Sequence, residues 1–165
     1  MEIRLQRFKV LFVCTGNICR SPLAHGVFQH LVDQEGIGLQ FHLESAGTDS
    51  YHIGEHMDSR MRKTALDHGI SFNHQARRVS EKDLQDYDVI FAMDHGHYRK
   101  LRSMAKQPEQ IAKIKMFREF DPQGTSQDEV PDPYYGGPEG FEQVYQIIHR
   151  TSKSILEAFQ NYELP

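Results

Sequence analysis

The apolar run Phe8–Cys14 ends in a thiol, and the next residues lead through Gly16 and Asn17 to Arg20 and Ser21-Pro22. A β-branched and aromatic run with Gly and Pro signals soon after it reads as a buried central strand. Ser-Pro reads as a helix start, because Ser caps and Pro costs nothing at the first helical position. This strand–loop–helix order constrains the fold more than any other part of the chain. It puts Cys14 at the carboxyl end of a strand, where sites of α/β sheets lie.

The remaining pattern extends the same alternation. Leu23, Val27, Phe28, Leu31 and Val32 fall at helical spacing, and Gly36 stops the run. Leu39 to Ala46 reads as a second strand and Gly47 to Glu55 as a loop. Asp58 to His68 reads as a helix ending at Gly69. Asp88 to Met93 predicts a third strand, followed by a helix from about Asp94 to Met104. Ile111 to Phe117 predicts a fourth strand, interrupted by lysines. Thr125 to Gly140 is rich in Pro, Gly and Asp and predicts a long surface loop, and Glu139 to Tyr162 a long amphipathic helix. Strands alternating with helices predict the α/β class with a parallel sheet. No repeat or linker interrupts the pattern, so residues 1–165 are expected to form one domain.

The 19 basic and 23 acidic residues, a net charge of -4, argue against a nucleic-acid binder. Local anion binding survives that balance, because it depends on one pocket. Cys14 and Cys19 are the two cysteines, too few for a disulfide scaffold or a four-cysteine zinc site. The stretch Met1 to Lys9 is polar and has no signal-peptide apolar region, and no run spans a bilayer. These features predict a cytoplasmic protein with reduced thiols and no membrane insertion.

Each residue from 14 to 21 has a physical job in phosphoryl chemistry. Cys14 attacks as thiolate, stabilised by loop N–H groups, the helix N-terminus, Arg20 and the Ser21 hydroxyl. Gly16 permits the curl that turns N–H groups inward. Asn17 tolerates left-handed backbone and bonds locally. The Arg20 guanidinium is a planar fork matching two phosphoryl oxygens. The expected reaction is in-line attack on phosphorus through a cysteinyl-phosphate that water hydrolyses. The leaving group needs a proton, and Asp132, beside Tyr134 and Tyr135 in Asp-Pro-Tyr-Tyr, is the candidate acid. Asp-Pro alone is a turn signal, and Asp121-Pro122 is a second instance; the adjacent tyrosines favour Asp132.

Val13 to Pro22 and Asp132 to Tyr135 together resemble the low-molecular-weight protein tyrosine phosphatases, over nearly the whole chain. Ser45-Ala-Gly-Thr48, His74-x-Ala-Arg77 and Ala92-Met-Asp94 add to the resemblance. It implies a four-stranded parallel twisted sheet flanked by helices on both faces, with no metal and no cofactor. It implies Cys14 as nucleophile, Arg20 as phosphate clamp, Ser21 as thiolate stabiliser and Asp132 as general acid. Thr15, Gly16, Asn17, Ile18 and Cys19 form the phosphate-binding loop, braced from Asn17, Ser45 and His74. Tyr51, Tyr134 and Tyr135 match rim positions, and Cys19 matches a neighbour able to pair with Cys14 on oxidation. Phosphotyrosine proteins are the implied substrates and inorganic phosphate the product. Thr15, where Leu is common, and His97, where Asn is common, depart from the pattern.

Three other readings are weaker. Arsenate reduction needs further cysteines, and none follows Cys19. A phosphoarginine-hydrolysing branch of the same family carries Thr where Ile18 stands. A binding module without turnover would not need both Cys14 and Asp132. The remaining histidines, His25 and His52 among them, read as structural, and His95-Gly-His97 lacks the partners of a metal site.

Overall fold

The computed structural model describes residues 6–125 and 127–161. Four parallel strands form one sheet: β1 (Phe8–Cys14), β2 (Phe41–Gly47), β3 (Val89–Ala92) and β4 (Ile114–Met116). Their order is β2-β1-β3-β4, so the cysteine-bearing strand is central. Register places Cys14 beside Gly47 and Val13 beside Ala92. The ends of three strands therefore surround Cys14.

Alternation along β1 sorts the core onto two faces. Val10, Phe12 and Cys14 join the larger apolar cluster with α1 (Arg20–Gln34), α2 (Ser59–Asp67) and α6 (Pro138–Gln160). Leu11 and Val13 join the smaller one with Leu84 of α3 (Glu81–Asp86) and Leu101 of α4 (His95–Met104). Phe12 is fully buried and lies 5.8 to 6.1 Å, centroid to centroid, from Phe28, Phe91 and Phe117. Burying each such ring contributes roughly 1.5–3 kcal/mol. The helix faces on either side of the sheet hold β1 rigid, and with it the thiol.

Several boundaries differ from the sequence reading. Helix α1 begins at Arg20, and Ser21 makes no cap hydrogen bond because its hydroxyl turns to Cys14 instead. Gly36 stops the chain as expected, at φ 71°. Leu39 lies in a 3-10 turn at Gly38–Gln40, so β2 starts at Phe41. The predicted strand Ile111 to Phe117 shrinks to Ile114–Met116. Pro108 at the first helical position and the Gln107–Gln110 capping box start a short helix, α5 (Pro108–Ala112), and Phe117 enters a 3-10 turn. Helix α3 is set by the Ser80–Asp83 capping box. The long loop ends at Gly137, where Pro138 opens α6. Tyr162, residues 1–5 of the polar N-terminal stretch, and Ser126 lie outside the described residues.

Candidate active site

The chain leaves β1 at Cys14 and makes one tight curl before entering α1. Asn17 sits inside that curl at φ 60°, the left-handed region that Asn tolerates. The curl is packed against the start of the next loop. A Cβ at Gly47 would stand 2.6 Å from the Thr15 carbonyl oxygen, so only glycine admits this approach. Among the described residues, no N–H of residues 15 to 19 donates to a protein acceptor. Thr15, Gly16, Ile18 and Cys19 line one cavity with Cys14, so these donors are available to an anion held there.

Cys14 Sγ lies 2.9 Å from Ser21 Oγ. Asn17 Nδ2 donates to that same Ser21 oxygen at 2.8 Å, so the hydroxyl proton is free to point at sulfur. Asn17 Oδ1 accepts from His74 Nε2 and from the Arg77 N–H, both at 3.0 Å. His74 and Asn17 thus lock the loop to a segment 57 residues away. Ser45 is fully buried in the same region, but its hydroxyl meets His25 Nδ1 at 3.4 Å and no loop residue. Its support reaches the loop through neighbours, among them His25, whose ring packs on His74.

Arg20 is buried and held from behind. Its Nη1 donates to Asp94 Oδ2 and to the Val130 carbonyl, each at 3.1 Å. Its Nη2 reaches Thr15 Oγ1 at 3.4 Å and stands 3.7 Å from Asp132 Oδ2. The fork is therefore aimed before any ligand arrives. Asp132 accepts the Tyr134 N–H at 3.0 Å and is about half exposed. That places a half-exposed carboxylate in the same cavity as the buried thiol.

Cys14, Arg20, Asp132, Tyr51, Tyr134 and Tyr135 share one cavity of about 100 Å³ with Thr15, Gly16, Ile18 and Cys19. Tyr51 and Tyr135 are highly exposed and form its outer wall. A cavity of about 420 Å³ lies farther out between α2 and the start of α6, and no cysteine lines it. Arg60 stands between the two cavities, 5.3 Å over the Tyr134 ring and 4.7 Å over Phe141.

Electrostatics fix the state of Cys19. Burial, the Asp58 carboxylate and Cys14 itself push the Cys19 thiol well above its ordinary range, so Cys19 stays protonated. Burial lowers His97 to about 4, against the raising influence of Asp94. Neutral His97 accepts the Asp94 N–H at Nδ1 (3.2 Å) and so donates from Nε2 to Thr15 Oγ1 (2.7 Å). Burial pushes the Asp94 carboxyl up, but charge and hydrogen bonds from His97 and Arg20 outweigh it and leave Asp94 below the usual carboxylate value.

The sequence reading did not single out Asp94 or Val130 as partners of Arg20, nor His52 at the cavity wall. Asp94 carried a local signal, its capping box with His97 at the start of α4. The Val130 carbonyl carried none, since any residue offers one.

The comparisons agree with this geometry. A family model for low molecular weight phosphotyrosine protein phosphatase matches residues 9–163. A low molecular weight protein-tyrosine-phosphatase of Streptomyces coelicolor is 41% identical over 152 residues, 92% of this chain and 93% of that protein. The crystal structure of a protein tyrosine phosphatase from Entamoeba histolytica, with Hepes in its active site, superposes with a TM-score of 0.90. It is 36% identical, and the match covers 94% of this chain and 99% of that one. A Drosophila arginine phosphatase superposes at 0.82 with 31% identity, covering 92% of this chain and 97% of that one. The strand–cradle–helix unit, the paired motifs at both ends and these matches converge: the chain belongs to the low molecular weight phosphotyrosine protein phosphatase family.

Proposed function

We propose that this chain is a protein tyrosine phosphatase that hydrolyses phosphotyrosine monoesters in protein substrates. The observation that carries the reading is the set of uncommitted loop N–H groups in the stretch that shares a cavity with Cys14 and a pre-aimed Arg20. Three phosphoryl oxygens are recognised by those donors, and the phosphorus is left in line with the thiolate.

In the first step the Cys14 thiolate forms the S–P bond while the P–O bond to the tyrosine breaks. Asp132 gives its proton to the departing phenolate. In the second step Asp132 takes a proton from water as the water oxygen attacks phosphorus. The S–P bond breaks, inorganic phosphate leaves, and the thiolate and the protonated acid are restored. The Ser21 hydroxyl hydrogen-bonds the sulfur in both departures of charge. Tyr51, Tyr134 and Tyr135 flank a substrate ring, and the narrow floor favours the reach of a phosphorylated phenol.

A phosphoarginine reading draws on the likeness to an arginine phosphatase. Ile18 opposes it, offering an apolar wall and no hydroxyl to the cavity. Both cysteines are taken to work reduced, in the cytoplasm. Turnover on matched phosphotyrosine and phosphoarginine peptides tests the substrate class. Higher kcat/KM on phosphotyrosine is expected; equal or greater kcat/KM on phosphoarginine would overturn it.

A further inference from the structure

Behind the phosphate-side loop, His25 of α1, Glu44 of β2 and His74 converge. One ligand atom from each lies within 4.8 Å of the others. The tautomer of His74 follows from its neighbours. Asn17 donates to Ser21 through Nδ2 and accepts the Arg77 N–H at Oδ1, so the atom facing His74 is an acceptor. His74 Nε2, 3.0 Å from it, therefore carries the ring proton. That leaves His74 Nδ1 as a bare lone pair, 3.6 Å from Glu44 Oε1. Two acceptors face one another across a cation-sized gap, and the His25 ring stands 5.5 Å from the His74 ring.

We infer that His25, Glu44 and His74 form a binding site for a divalent first-row cation of the Zn²⁺ type. Two imidazoles and one carboxylate are a zinc donor set that leaves one position for water. Ligand atoms on a tetrahedral ion are about 3.3 Å apart at ordinary Zn–N and Zn–O lengths. The His74–Glu44 edge is already near that value, and coordination would turn His25 from its contacts with Ser45 Oγ, 3.4 Å from its Nδ1, and with the Phe72 ring. The supporting bonds are those that metal ligands use. His74 donates its other ring N–H to Asn17, and Glu44 Oε1 accepts the Ser45 N–H at 3.0 Å. Arg77, the guanidinium near the cluster, is engaged by Asp83 at 3.0 and 3.2 Å.

The site would be structural, and it connects to the thiol through one chain of hydrogen bonds. His74 binds Asn17, Asn17 binds Ser21, and Ser21 binds Cys14. A cation on His74 Nδ1 holds the ring in the tautomer that braces the loop.

Titrating the metal-free full chain with Co²⁺ tests the site, because Co²⁺ absorbs and a thiolate ligand adds a sulfur-to-cobalt charge-transfer band. The expected result is one equivalent bound with d–d absorption, no charge-transfer band, and displacement by Zn²⁺. His25→Gln and Glu44→Gln should each weaken binding at least about tenfold. No binding, or binding that carries the sulfur band and survives both substitutions, would overturn the site. A second measurement needs neither variant: Co²⁺ should broaden the His25 and His74 ring signals of the unsubstituted chain. Bound Co²⁺ that left both rings sharp would overturn the site as well.

Discussion

Thr15 Oγ1 and His97 Nε2 lie 2.7 Å apart, and Thr15 is also the hydroxyl that the Arg20 guanidinium touches. The family resemblance leads to an expectation of Leu and Asn at these two positions. They depart as a pair in contact: a hydroxyl in the loop meets a buried imidazole at the start of α4. Arg20 is held between this pair and Asp94.

The pair should be energetically coupled. Thr15→Ala leaves a buried His97 N–H without its acceptor, and His97→Ala leaves the hydroxyl without its donor. Urea unfolding of the two single variants and the double variant should give a coupling of about 0.5–1.5 kcal/mol. Additive losses would show that the contact is incidental.

Acid should destabilise the fold through buried histidines. Folded His97 titrates near 4 against an ordinary 6.5, with burial as the main cause. Between those values the unfolded chain binds the proton and the folded chain does not. Stability is therefore full above pH 6.5, falls as pH drops toward 4, and levels below that. His25, lowered by burial to about 3, extends the loss further. In His97→Gln, the urea midpoint should change less between pH 7 and pH 4.5 than in the parent chain.

Asn17 is predicted to be the loop's main structural residue. Asn17→Ala keeps a Cβ in left-handed backbone and strands the His74 and Arg77 donors. Asn17→Gly relieves the backbone cost, about 1–2 kcal/mol, while losing the same hydrogen bonds. Unfolding should rank the chains parent, then Gly, then Ala. If Ala matched Gly, the φ of Asn17 would not be a source of strain.

The legibility of this fold follows from where its information lies. Cys14, Gly16, Asn17, Arg20 and Ser21 lie in one short stretch, so a single strand-to-helix turn displays the proposed nucleophile, cradle and clamp together. Strands β1 and β3 and helices α1 and α6 are long or uniformly apolar and announce themselves. Helix α3 is six residues long and buries only Asp83 and Leu84, too little for a periodic signal. Strand β4 was overrun because Ile111 is apolar yet helical, and Pro108 decides the matter three residues earlier. The Arg20 contacts to Asp94 and Val130 span 74 and 110 residues, distances across which no local pattern reports. The His25–Glu44–His74 cluster was hidden for the same reason, since each residue alone reads as an ordinary polar side chain.

In the first step Asp132 is expected to act on the leaving group. Asp132→Asn should slow phenyl phosphates with poor leaving groups by about a hundredfold or more, the usual worth of general acid catalysis. Nitrophenyl phosphate, whose phenolate leaves unaided, should be slowed far less. An equal loss across the series would assign Asp132 to positioning Arg20, 3.7 Å away, and not to proton transfer.

The central claim is that Cys14 takes the phosphoryl group. Rapid acid quench of the enzyme during turnover of a phosphotyrosine peptide, followed by peptide mass spectrometry, measures this directly. The account predicts a transient phosphoryl adduct on Cys14, absent from Cys19 and absent altogether in Cys14→Ser. An adduct on another residue, or continued turnover by Cys14→Ser, would contradict it.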